Sequence, residues 1–343
     1  MAYRIAINGY GRIGRSILRA FYEADMAESA DYTGLRIVAI NDLADTRTLA
    51  HLTRYDSTHG RFLGSVDTRD DGLLINGDSI PVTQKAELNQ LNWKAHDVDL
   101  VMECSGTFTD RASAEIHLQQ GAKKVLFSQP AESDVDATIV YGINHDELKN
   151  SDSIVSNASC TTNCIVPVLK GIDDAFGIAS GIITTIHSAM NDQPVIDSYH
   201  SADLRKTRSA MQSIIPVDTE LAKGIERILP NLQGLLQAHA IRVPTVNVSA
   251  MDLTVTVEQE CTVDQVNAAL SEYSQQLPPQ VLGVSAEPLA SCDYNHDPRS
   301  AIVDLNQTRV APNKLVKLLV WFDNEWAYAN RMLDVARQIS QLG

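Results

Sequence analysis

Gly9-Tyr10-Gly11-Arg12-Ile13-Gly14 lies between an apolar run at residues 4–8 and a stretch of helical spacing at residues 15–22. Strand, G-x-G-x-x-G and helix, in that order, predict the opening of a doubly wound α/β sheet. Gly9 and Gly11 belong to a turn tight enough for backbone to approach a pyrophosphate, which then rests on the helix N-terminus. A second strand is expected at residues 35–40, ending in Asn41-Asp42. An acidic residue there accepts from the adenosine ribose hydroxyls and favours NAD over NADP. Asp42 follows Gly14 by 28 positions (42 − 14), more than the usual spacing of about 20. The polar insert at residues 23–31 absorbs the excess, and a plain turn aspartate is the alternative reading. Further strands at residues 99–104 and 124–127 end in Ser105-Gly106-Thr107 and Ser128. Strand ends of this kind face the crevice where an open parallel sheet binds its ligand.

The character changes at Ser156-Asn157-Ala158-Ser159-Cys160-Thr161-Thr162-Asn163-Cys164. If residues 154–155 end a strand and residues 165–169 continue a helix, Cys160 stands at a helix N-terminus, where the unpaired N–H groups favour thiolate. A buried apolar cysteine is the competing reading. Beyond it, β-branched runs at residues 181–187, 243–257 and 314–322 predict a second domain with a mixed, mostly antiparallel sheet. The polar stretch 191–208 reads as an ordered functional loop, and residues 333–342 as a closing helix. The expected domains are residues 1–159 and 160–324, with a helix over 325–343 packing back on the first.

A net charge of −15 over 343 residues argues against nucleic acid or an anionic membrane surface as partner. Five cysteines form no framework and no zinc ladder, so no metal is expected and a reducing cytoplasm fits. The N-terminus lacks a signal-peptide core and no run reaches membrane-span length, so a soluble chain is expected.

Among nine histidines, His187 ends a β-branched run, and it is one of several candidates to partner Cys160. A Cys–His pair beside NAD has a narrow repertoire. The thiolate adds to an aldehyde, the His acts as base during hydride loss, and a thioester is released to water or phosphate. The Cys160 N–H would help hold the oxyanion.

Residues 7–15, Ser159-Cys160-Thr161-Thr162-Asn163, Arg242-Val243-Pro244-Thr245-Val246-Asn247-Val248-Ser249 and Trp321-Phe322-Asp323-Asn324-Glu325-Trp326 resemble the glyceraldehyde-3-phosphate dehydrogenase superfamily from end to end. The resemblance implies a Rossmann domain, a catalytic domain with a mixed sheet and an S-loop, and a homotetramer. It implies Cys160 as nucleophile, His187 as its base and Asn324 on the nicotinamide carboxamide. Arg12 and Ile13 would meet the pyrophosphate and Asp42 the ribose, with Lys85 and Ser128 as further cofactor contacts.

Several positions depart from that pattern. Ala189-Met190 replaces Tyr-Thr, and a Met thioether donates no hydrogen bond. Thr219-Glu220-Leu221-Ala222 replaces Thr-Gly-Ala-Ala, bringing a carboxylate beside an anion site unless it points away. Arg205-Lys206 replaces Arg-Arg, keeping charge but losing the bidentate fork. Ala327 stands where a glycine is usual. Ser159, Thr161, Thr219 and Arg242 remain to bind one phosphorylated aldose, with Arg205, Lys206 and Glu220 beside them in the candidate set. The rewritten segments 186–193, 213–219 and 295–304 are similar to the sister family of erythrose-4-phosphate dehydrogenases. That likeness implies oxidation to 4-phospho-D-erythronate, on the way to pyridoxal 5′-phosphate, with water as the deacylating nucleophile. A phosphorylating dehydrogenase of glycolysis and a non-catalytic NAD-sensing or RNA-binding relative are the alternatives.

Overall fold

The computed structural model describes residues 2–27, 32–200 and 203–342. It forms two compact units, Met1–Ser159 with Tyr328–Gly343, and Cys160–Ala327.

The first unit is built on a nine-stranded sheet among the described residues. Its strand order is Ala137–Thr138, Ile154–Ser156, Lys124–Phe127, Leu100–Glu103, Tyr3–Asn8, Leu35–Asn41, Asp78–Thr83, Gly72–Ile75, Val66–Arg69. The first seven run parallel, and the last two are added at this edge through antiparallel pairings. Covered on both faces, the central strands are apolar without alternation, as in Ile5-Ala6-Ile7. From Tyr3–Asn8 the chain builds outward on one side, then returns to lay Leu100–Glu103 on the other. The strand order therefore reverses between these two strands, and a parallel sheet opens its ligand crevice at such a point. The antiparallel edge strands were not among the sequence expectations. Of the polar insert, residues 23–27 finish helix Arg12–Ala27, and residues 28–31 lie outside the described residues.

The C-terminal helix Trp326–Gln341 contributes its length from Tyr328 onward to this unit. Tyr328 donates to Ala158 O at 2.8 Å, and Tyr32 to Asp334 Oδ1 at 3.2 Å. Apolar residues Ala329, Met332, Leu333, Val335, Ala336 and Ile339 are all buried, and so are Asn330, Arg331 and Asp334, the last two as an ion pair at 2.6 Å.

The second unit holds a mixed sheet ordered Ile215–Val217, Leu236–Arg242, Ile178–His187, Ser249–Val257, Leu315–Phe322, Ala301–Asp304, Leu282–Ser285, with Arg309–Ala311 beside Leu315–Phe322. Two pairs are parallel, Ile178–His187 with Leu236–Arg242 and Leu282–Ser285 with Ala301–Asp304. The other pairs are antiparallel. Helix Cys160–Phe176 packs against this sheet.

The single run expected at 243–257 is broken. Pro244 lies in the irregular segment, and Val248 takes φ 63°, a left-handed value costly for a β-branched residue. The strand therefore begins only at Ser249. The stretch 191–208 is irregular apart from one short turn at Arg205–Thr207, and residues 201–202 lie outside the described residues. Among the described residues, no helix is long and apolar enough to cross a membrane.

Candidate active site

The glycine turn in the first unit follows from close packing. Gly9 has φ +89°, and a Cβ there would stand 2.4 Å from the Ser105 backbone N. One on Gly14 would stand 2.3 Å from Gly9 O. Gly11 differs, because nothing lies within 4 Å of its would-be Cβ. Gly9 thus lets the turn pack on the backbone that follows strand Leu100–Glu103, Gly14 lets the helix pack on the turn, and Gly11 leaves open space over the start of helix Arg12–Ala27, as backbone approach to a pyrophosphate requires.

Beneath this turn lies a buried polar network that sequence reasoning missed. Glu103 and His117 are both fully buried. Trp93 Nε1, which can only donate, gives its hydrogen to His117 Nδ1 at 3.0 Å. His117 is then the neutral tautomer with its proton on Nε2, donated to Glu103 Oε2 at 3.0 Å. Asn8 Nδ2 donates to the same oxygen at 2.5 Å, and the Ser105 N–H to Oε1 at 2.8 Å. Asn41 continues the chain, donating to Asn8 Oδ1 at 2.8 Å and accepting from Thr83 Oγ1 and the Lys85 N–H, each at 2.9 Å. One carboxylate thereby ties the two strands at the reversal point to the loops that follow them. The available signal was a polar residue ending each apolar strand.

Asp42 accepts from the Tyr10 N–H at 2.7 Å and the Ala44 N–H at 2.9 Å, pinning the turn and leaving lone pairs for a ribose diol. The Arg12 guanidinium is taken up by Asp56 through both terminal nitrogens. Burial raises the Asp56 carboxyl, but the Arg12 contact and the His59 and Thr58 N–H groups outweigh it and hold the carboxyl well below its usual range. Arg12 and Ile13 are the first residues of the helix. Lys85 is exposed beyond strand Asp78–Thr83, its backbone paired to Asn41 on both sides. Ser128 follows strand Lys124–Phe127, its N–H donating to Glu103 O at 3.0 Å. These residues fit a dinucleotide: an open glycine, a helix start and a carboxylate at the second strand end.

In the second unit, Cys160 is the first residue of its helix. The chain reaches it through Ala158, at φ 52°, a strained value for a residue with a Cβ. Cys160 Sγ lies 3.8 Å from His187 Nε2. Burial pushes the Cys160 thiol up to about 11, against the Arg242 charge and the Thr161 N–H. The expectation that the helix start favours thiolate is corrected here, because desolvation of the sulfur outweighs it. Burial, followed by the Arg242 charge, lowers His187 to about 4. Both shifts act against the charged forms of the pair.

Arg242 is opposite His187 in the parallel register, and its Nη1 lies 2.8 Å from His187 Nδ1. Asn324 is equally well fixed. Its Oδ1 accepts from Ser188 Oγ at 3.0 Å and Ser249 Oγ at 2.8 Å, leaving Nδ2 as the outward donor. Beside it, the buried Asp323 accepts four hydrogen bonds, from Asn247 Nδ2, His296 N, Glu325 N and Trp326 N.

The remaining substrate candidates divide. Ser159 and Thr161 flank Cys160, and Thr219 Oγ1 accepts from the Leu221 N–H at 3.2 Å. Glu220 is exposed and paired with Lys223 at 2.6 Å. Lys206 Nζ is held by Asp192 at 2.8 Å, and Arg205 is exposed on the same turn. Met190 is also exposed. Among the described residues, no cluster of side chains could hold a metal ion.

A parallel sheet whose order reverses beside this glycine turn marks the first unit as a dinucleotide-binding fold. Residues 3–111 match the NAD binding domain of glyceraldehyde 3-phosphate dehydrogenase, and residues 159–324 match its C-terminal domain. The chain belongs to the glyceraldehyde 3-phosphate dehydrogenase family.

Proposed function

We propose that this protein oxidises D-erythrose 4-phosphate to 4-phospho-D-erythronate, through a thioester on Cys160 that water releases. What supports this reading is the state of the side chains at the positions to which the family resemblance assigns a second anion site. Lys206 is committed to Asp192, Glu220 puts a carboxylate there that is itself paired with Lys223, and Met190 offers no donor. An attacking inorganic phosphate has little to hold it. Arg242 differs: among the described residues its guanidinium reaches the His187 ring and Ser188 O, the Asp192 charge bears on it without a direct hydrogen bond, and its buried Nε has no hydrogen-bond partner. A half-buried guanidinium so placed suits one substrate phosphate, with Ser159, Thr161 and Thr219 as further donors.

The chain's own residues then divide the work. Cys160 Sγ bonds to the aldehyde carbon as its proton passes through His187 Nε2 to the former carbonyl oxygen, giving a thiohemiacetal. Bound NAD would supply the hydride acceptor; the glycine turn and Asp42 would hold its adenosine end, and the family resemblance assigns the nicotinamide carboxamide to Asn324 Nδ2. His187 takes the hydroxyl proton as the carbonyl of the thioester forms. His187 releases that proton to solvent and takes one from the water that adds to the same carbon; the C–S bond breaks as His187 returns the proton to sulfur, and the acid leaves as carboxylate with its own proton lost to solvent. The product suits a role in pyridoxal 5′-phosphate biosynthesis in the cytoplasm. Exposed Val195, Ile196, Tyr199 and Leu204 in the loop after Met190 support a homotetramer, since such side chains call for cover by another copy.

Cys160→Ala is expected to abolish oxidation, and His187→Asn to slow it by about 10²–10⁴. Iodoacetamide should inactivate the enzyme by modifying Cys160. Near-wild-type turnover in either variant overturns the catalytic assignment.

A further inference from the structure

Asp323 follows strand Leu315–Phe322 and is fully buried. Its Oδ1 accepts from the Glu325 and Trp326 N–H groups at 2.9 and 2.8 Å, the pattern of a carboxylate capping the start of helix Trp326–Gln341. Its Oδ2 accepts from Asn247 Nδ2 at 2.8 Å and from the His296 N–H at 2.7 Å. A carboxylate offers about four lone-pair positions, and all are taken. Asp323 has none left for a ligand, so whatever it does for the reaction it does through its partners.

Those partners lead to Asn324 by two routes. One is the chain itself, since Asn324 lies between Asp323 and the two capped N–H groups. The other runs through Asn247, whose Nδ2 also donates to Asn295 Oδ1 at 2.8 Å. Asn247 precedes Val248, held at φ 63°, and Ser249, whose Oγ donates to Asn324 Oδ1 at 2.8 Å. His296, the fourth donor, sits at φ 67° with its ring stacked 3.6 Å from that of Trp326. Residues with a Cβ hold such backbone values only where the surroundings over-determine them, and charge-assisted bonds to one buried carboxylate supply that restraint. Each strained turn is thus anchored on the residue next to Asn324.

We propose that Asp323 is a positioning residue for the cofactor: by fixing Asn324, it fixes which way the nicotinamide ring faces. The inference rests on the proposed reading of Asn324 Nδ2 as the donor to the carboxamide. The carboxamide stands to one side of the ring carbon that accepts the hydride. Turning the ring over about its bond to ribose carries the carboxamide to the other side and exchanges the face offered to the substrate. A donor at one fixed point therefore selects one face, and a donor free to drift selects neither. Ser188 and Ser249 set the rotation of the Asn324 amide; Asp323 sets where that amide stands.

Transferred nuclear Overhauser measurements on NAD mixed with the full-length protein test this without turnover. The two ring orientations are told apart by whether nicotinamide H2 or H6 lies against ribose H1′. Bound to the wild-type protein, NAD should show one of these contacts. Asp323→Asn sets an amide NH₂ against two of the four donors and should bring in the second contact. Asn247→Ala cuts only the Oδ2 route and keeps the helix cap, so it serves where Asp323→Asn does not fold; it should show the second contact more weakly. Variants that bind NAD and still give one contact overturn the proposal, whatever their unfolding midpoint, and leave Asp323 a structural tie. Two contacts in the wild type overturn it too. Folded variants that no longer bind NAD overturn it as well, because the claim concerns the ring's orientation and not its capture. One contact retained in Asn324→Ala overturns the assignment of the carboxamide to Asn324, and the proposal with it.

Discussion

Glu103→Gln should weaken NAD binding while leaving the chemistry of the other unit intact. Three donors converge on the two Glu103 oxygens: Asn8 Nδ2 and His117 Nε2 on one, and the Ser105 N–H on the other. Glutamine keeps the shape but has one oxygen. If that oxygen stays with Asn8 and His117, its NH₂ meets the Ser105 N–H, donor against donor. Losing a hydrogen bond to a buried charged group costs about 1.5–3 kcal/mol. Gly9 leaves no slack to absorb the shift, since it already packs on Ser105 N. If about half of that cost falls on the turn, NAD affinity drops about three- to twelvefold, because about 1.4 kcal/mol is a factor of ten. Calorimetric titration with NAD reads the affinity, and thermal unfolding reads the remainder as a lowered midpoint. Cys160 alkylation without cofactor should proceed at the wild-type rate. A lowered midpoint with unchanged NAD affinity would refute the reasoning and leave Glu103 a purely structural tie.

Gly11→Ala should fold normally yet bind NAD poorly, since its Cβ meets only open space; Gly14→Ala, driven into Gly9 O, should lose both, and circular dichroism with NAD titration separates the two. Ser188→Ala with Ser249→Ala removes both hydrogens from Asn324 Oδ1 and frees the amide to flip. Steady-state kinetics should show a KM for NAD raised several-fold at about 1 kcal/mol per bond, and an unchanged KM contradicts the assigned orientation. The His187 value falls from 6.5 to about 4 on folding, so the unfolded chain takes up that proton first as the pH drops. Its contribution is complete above pH 6.5 and is lost as the pH falls toward 4, about 3 kcal/mol in all. Urea unfolding between pH 7.5 and 4.5 should show a shallower pH slope in His187→Asn.

Local patterns carried much of this molecule. The glycine turn, the strands around it and the helix opening at Cys160 all follow from residues adjacent in sequence, where periodicity and turn chemistry act directly. Relations set by strand register were not legible. Arg242 reaches His187 because two strands 55 residues apart in sequence pair in parallel at those positions, and no one-dimensional pattern records a register. The Glu103–His117–Trp93 network was hidden for a related reason: each member looks like an isolated polar residue until the sheet assembles. The thiolate expectation failed because the helix-start argument weighs local N–H groups, whereas desolvation depends on the whole surround of Cys160. The break at Val248 went unseen because a β-branched residue is the last to be expected at positive φ.

The most direct test of the account is NADH formation from erythrose 4-phosphate and from glyceraldehyde 3-phosphate, each with and without inorganic phosphate. The account predicts strong turnover of the four-carbon sugar that does not require phosphate. Oxidation of the triose alone, and only with phosphate present, would contradict it. That result would mean the segments around Met190, Lys206 and Glu220 still bind an attacking phosphate.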